Sequence, residues 1–90
     1  MAWTIEFDKK AQKEFAKLDK QEQKQIDKFL LKLTKSNNPR QFGDALTGSM
    51  KLFWRYRVGD YRLICDIKDE VFIVMVLRVD HRKQVYKKNI

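Results

Sequence analysis

LFWRYRVGDYRLICDI, residues 52–67, decides the fold. Phe53, Arg55 and Arg57 alternate here with Leu52, Trp54 and Tyr56, the period of two expected of a strand with one covered face. Val58, Gly59 and Asp60 bring turn chemistry, and residues 61–67 return as a second strand carrying Arg62. Strands joined by so few residues are antiparallel neighbours. Arginines from both can then share one sheet face, and a cationic face suits phosphate.

Downstream, Lys68, Asp69 and Glu70 form a tight turn into residues 71–79, VFIVMVLRV. That run is nearly unbroken in apolar residues, which predicts a central strand covered on both faces. Residues 82–89 are short and basic, fitting either one helical turn or an extended tail. Upstream, residues 40–50 read as a loop bending at Gly43 and Gly48, with Leu46 as its anchor. Ser36, Asn37, Asn38 and Pro39 stop a helix in which Ile26, Phe29, Leu30 and Leu33 make one apolar stripe. Asp19 caps that helix, with Glu22 placed for a capping box. Asp8 caps an earlier helix carrying Ala11, Phe15 and Leu18. Before it, Trp3, Ile5 and Phe7 alternate as a short strand. The expected class is α+β: an N-terminal strand and a two-helix hairpin packed on a small, antiparallel-rich sheet.

Ninety residues support one core, so residues 1–90 are expected to form a single domain. The 43% apolar and 36% charged content is that of a globular chain. No apolar run is long enough to span a bilayer, no secretory pattern is visible, and the lone Cys65 sits in a strand as a small hydrophobe. A soluble, cytoplasmic protein with no membrane partner is expected. The net charge is +8, and all six arginines lie from Arg40 onward, while the first 39 residues use lysine alone. Lysines on helices keep a protein soluble, whereas arginine is the planar fork suited to phosphate and base stacking.

One histidine, one cysteine and scattered carboxylates give no metal-ligand spacing, so neither metal nor other cofactor is expected. Glycine-rich phosphate loops and a Ser-His-Asp set are also missing from the pattern. Arginines, tyrosines and His81 remain, the equipment for metal-free phosphodiester chemistry: a ribose 2′-OH attacks its own adjacent phosphate while arginines stabilise the charged phosphorane. Phe53, Tyr56, Tyr61 and Tyr86 are available to stack unpaired bases. The same arginines also fit solvated, edge-blunting charges, and His81 a plain surface residue. By residues alone, an RNA-binding module and a nuclease both stand.

LFWRYRVGDYRLI followed by VDHRKQVYK, together with the order of elements, resembles the RelE family of bacterial toxin–antitoxin systems. The resemblance spans nearly the whole chain, including LTGSM before the arginine strand. It implies a microbial-RNase-like sheet and a toxin that enters the ribosomal A site, cleaves mRNA and is silenced by a cognate, RelB-like antitoxin. Arg62 matches the arginine that contacts the scissile phosphate. Arg82 matches the one that stabilises the transition state or protonates the leaving 5′-oxygen, and Tyr86 the tyrosine that orients the substrate base. Arg55 stands where the best-known member has a lysine, and Phe53 where it has a second lysine that helps activate the 2′-OH. Lys51 or His81 is then the candidate for that proton. Arg57, Lys51, Phe53, Lys83 and Lys87 complete the expected RNA-binding set. ParE-type toxins share the fold but target DNA gyrase. They typically lack the combination of Arg62, Arg82 and Tyr86.

Overall fold

Both helices start at the aspartates that the sequence offers as caps. In the computed structural model, which describes residues 2–46 and 53–81, the Asp8 carboxylate accepts from the Lys9 N–H at 2.9 Å and opens α1 (Lys9–Ala16). The Glu22 carboxylate accepts from the Asp19 N–H at 3.3 Å and opens α2 (Lys20–Lys35). Ile26, Leu30 and Leu33, spaced four and three apart, form the buried stripe of α2.

The strands are β1 (Thr4–Phe7), β2 (Asp44–Leu46), β3 (Phe53–Val58), β4 (Tyr61–Lys68) and β5 (Ile73–His81). They form one sheet in the order β1-β5-β4-β3-β2, with β1 parallel to β5 and the other pairs antiparallel. This is the α+β architecture expected from the chain. Gly59 takes φ 59° in the two-residue turn between β3 and β4, the position where a II′ hairpin asks for glycine. Both helices lie on one face, α1 packing on β5 and α2 touching β1 and β3. Trp3, Ala11, Leu30, Leu33, Tyr56, Leu63, Val74 and Val76 belong to the core between them. Cys65 is buried there as a small hydrophobe, and burial pushes its thiol up to about 12, so it stays protonated.

Three expectations need correction. The stretch expected to be loop contains a 3₁₀ turn (Pro39–Gln41) and then β2, whose register pairs Asp44 with Arg55, Ala45 with Trp54 and Leu46 with Phe53. The turn after β4 is a 3₁₀ segment (Asp69–Val71) plus Phe72 at φ 55°, so β5 starts at Ile73 and Val71 is exposed. β5 is interior in hydrogen-bonding order, yet helices cover only one of its faces: Val74, Val76 and Val79 are buried, while Ile73, Met75 and Leu77 are half-buried. A continuous apolar run cannot distinguish a strand flanked by two neighbours from one covered on two faces.

Candidate nucleic-acid interface

Register builds the uncovered face in two cross-strand rows. The first runs Asp44, Arg55, Ile64, Arg78 from β2 to β5. The second runs Arg57, Arg62, Asp80 from β3 to β5. Opposed residues point to the same side of a sheet, so the arginines of both hairpin strands converge as expected. Arg57 and Arg62 are directly opposite. Like charges in that position destabilise a strand pair by a few tenths of a kcal/mol to about 1 kcal/mol. Such a pairing makes sense where an anion is to be received.

Asp44 carries the counter-charge on one flank. Its Oδ2 lies 2.5 Å from Arg55 Nη2. Its carboxyl is held below the usual carboxylate range, first by that hydrogen bond and further by the charges of Arg55, Arg57 and Arg62. Half of the Asp44 side chain stays exposed, at 53%. Arg55 Nε is buried without a hydrogen-bond partner among the described residues. On the other flank, Arg78 Nε and Nη2 reach the Glu14 carboxylate at 3.2 and 3.1 Å, and Nη2 also reaches Asp80 Oδ1 at 2.8 Å. Glu14 Oε1 accepts the Val79 N–H at 2.8 Å. β1 ends its pairing at Phe7 opposite Val76, so α1 supplies the acceptor that the strand no longer provides.

His81 is placed elsewhere. Its register partner is Tyr61, on the helix-covered side with Leu63, and the two rings meet edge to face at 5.0 Å. The structure therefore brings Arg55, Arg57 and Arg62 together but sets His81 on the opposite face of β5. Tyr56 and Tyr61 are not stacking platforms: Tyr56 is fully buried with its hydroxyl donating to the Pro39 carbonyl, and Tyr61 faces the helices. Burial and then a hydrogen bond with Glu22 push the Tyr61 phenol above its ordinary value. Phe53 sits at the start of β3, opposite Leu46. Lys51, Arg82, Lys83, Tyr86 and Lys87 lie outside the described residues.

Asp44, Glu14, Arg78 and Asp80 are additions that sequence reading missed as site neighbours. The hairpin turn alone fixes Arg57 opposite Arg62. Asp44 looked like loop, and Glu14 reaches β5 across 65 residues of sequence, beyond any local pattern. Chemically the face offers guanidinium groups for a phosphate and a partly exposed carboxylate beside them.

A small α+β protein with one helix-covered sheet face and one arginine-bearing face is the class so defined. A family model described as "ParE toxin of type II toxin-antitoxin system, parDE" matches residues 5–86. The mRNA interferase toxin RelE of Escherichia coli is 32% identical over 85 residues, covering 93% of this chain and 87% of that protein. Toxin RelG of Mycobacterium tuberculosis is 38% identical over 53 residues, 59% of this chain and 61% of RelG. Among solved structures, the RelBE2 toxin–antitoxin complex of M. tuberculosis matches with a TM-score of 0.80 at 30% identity, covering 91% of this chain and 100% of that one. The isolated E. coli RelE toxin matches with a TM-score of 0.72 at 27% identity, covering 98% of this chain and 95% of that one. The chain belongs to the RelE/ParE family of type II toxin–antitoxin toxins.

Proposed function

We propose that this protein is a cytoplasmic toxin that cleaves mRNA in the ribosomal A site and is held inactive by a cognate antitoxin. The observation that carries the reading is the like-charged pair Arg57 and Arg62 beside Arg55 on the uncovered sheet face. The relatives named RelE are mRNA interferases, and one matched structure is a complex with an antitoxin, which supports both halves of the proposal.

In the proposed reaction the 2′-oxygen forms a bond to phosphorus as the P–O5′ bond breaks, leaving a 2′,3′-cyclic phosphate and a free 5′-hydroxyl. Arg62 and Arg55 bind the scissile phosphate and stabilise the doubly charged phosphorane, so the chemistry requires no metal or other cofactor. Arg57, Lys51, Lys83 and Lys87 hold flanking phosphates, and Phe53 and Tyr86 stack bases. Arg82 gives its charge to the transition state or a proton to the leaving oxygen. Arginine is too basic to take the 2′-OH proton. His81 and Lys51 remain candidates, and Asp44 joins them because its ionised, half-exposed carboxylate lies on the arginine face. His81 has to act around the end of β5.

Primer extension on cellular mRNA after brief induction tests the reading. Cuts within codons that depend on translation are expected. Intact mRNA accompanied by DNA damage would replace it with the gyrase-directed alternative of ParE-type toxins, and RNA binding without cleavage would leave only a binding module.

A further inference from the structure

The uncovered face has a built support on its β5 side that reaches back to a helix. Glu14 on α1 binds Arg78 through both carboxylate oxygens and also takes the Val79 N–H. Arg78 passes the connection to Asp80 Oδ1 at 2.8 Å. Asp80 stands directly across from Arg62, which in turn stands across from Arg57. The charges alternate along this line until they end in two adjacent arginines. All three members of the support are sheltered, with side-chain exposures of 22% for Glu14, 28% for Arg78 and 16% for Asp80. Sheltered, multiply bonded ion pairs hold fixed geometry far better than solvated ones. Arg62 faces repulsion from Arg57 on one side, and Asp80 is the acidic neighbour in register on the other.

Resting on the function proposed above, we infer that Glu14, Arg78 and Asp80 are positioning residues that fix the Arg62 guanidinium for phosphate, making α1 part of the catalytic framework. Arg78 thereby serves the site without touching RNA. Two consequences separate this from simple charge balance. Removing a negative charge beside a phosphate site tightens RNA binding if only the field matters. Removing a positioning group lowers turnover instead, because misplacing a transition-state contact by about 1 Å costs on the order of 100-fold.

The test compares Asp80→Asn, Glu14→Gln and the double variant on ribosomes programmed with mRNA, with thermal melts and the NMR signal of Arg62 Nε–H alongside. Each single variant is expected to lower kcat roughly 10- to 100-fold with KM little changed. The double variant should be no worse than the more affected single one, since on this inference both act on Arg62 through Asp80. The Arg62 Nε–H signal should shift and broaden in both. Unchanged kcat, tighter binding with unchanged turnover, or additive losses would overturn the inference. Should Asp80→Asn fail to fold, Glu14→Gln decides, because its amide oxygen still accepts the Val79 N–H. Should the wild type leave programmed mRNA intact, the nuclease reading falls, and the Arg62 signal alone then upholds or overturns the positioning relay.

Discussion

Arg62→Ala is expected to separate the proposed chemistry from folding at a single residue. The side chain lies on the face without helices, where an ion pair contributes about 0–1 kcal/mol. Its removal also relieves the repulsion from Arg57 opposite. The melting profile is expected to change by less than about 1 kcal/mol, while toxicity on induction is lost; an unfolded or fully toxic variant would remove Arg62 from the site. The proton acceptor is a second question at this scale, and pH answers it. A histidine base gives a rate rising near about pH 6.5. The Asp44 carboxyl is pulled down by Arg55 and its neighbours, so it is already ionised well below that. With Asp44 as base, the basic-form limb falls below the ordinary carboxylate range of about 3.9, and the rate is flat between about pH 6 and 8. Asp44→Asn, His81→Gln and Lys51→Met measured in single turnover assign the role to whichever change abolishes the rate.

At the scale of elements, the hairpin was legible and β2 was not. Period-two alternation and Gly59 name β3, the turn and β4 from local chemistry alone. β2 has three residues and no periodicity. It forms through tertiary contacts, with the Trp54 indole donating to the Phe42 carbonyl at 2.5 Å and Asp44 pairing with Arg55. Counting in twos along β5 also misleads. Starting from buried Val74 and Val76, it places Arg78 and Asp80 inward and His81 on the arginine face. A bulge opposite Ile64 and Cys65 adds Leu77 and reverses this, turning Val79 and His81 toward the helices. Apolar side chains throughout the run conceal the extra residue. Gly43 tests β2 directly: it holds φ 73°, and a Cβ there would sit 2.2 Å from the Arg55 carbonyl oxygen. Gly43→Ala should cost about 1–3 kcal/mol in denaturant unfolding and lower activity through displaced Arg55. A neutral result would mean that β2 does not position the site. The neighbouring Arg40–Asp69 pair, bidentate at 2.8 Å, ties the 3₁₀ turn before β2 to the turn after β4. Arg40 holds the Asp69 carboxyl below its ordinary value, so its contribution is present above about pH 3.9 and disappears as pH falls through the lower folded value. Asp69→Asn should flatten that part of the acid-unfolding curve.

Over the whole molecule, charge is divided by residue type and by face. Lysines dominate the helices, while Arg55, Arg57 and Arg62 gather on the bare side of the sheet. No helix among the described residues is long and apolar enough to cross a membrane. A net charge of +8 creates a field that would speed encounter with any polyanion, the RNA of the proposed reaction and an acidic antitoxin alike. On the function proposed above, an antitoxin that silences the toxin by covering Arg55 and Arg62 would compete with RNA for the same surface. Charge steering would let it do so through speed, since a complementary field raises the association rate while short-range contacts govern dissociation. Stopped-flow association of the proposed toxin–antitoxin pair is expected to slow markedly between low and moderate salt, because screening acts over about 10 Å at 0.1 M. The dissociation rate should change far less. Replacing Arg57 and Arg62 together should reduce the salt slope, since two of the steering charges on that face are gone. An on-rate insensitive to salt would place antitoxin docking away from the arginine face and leave inhibition to a different surface.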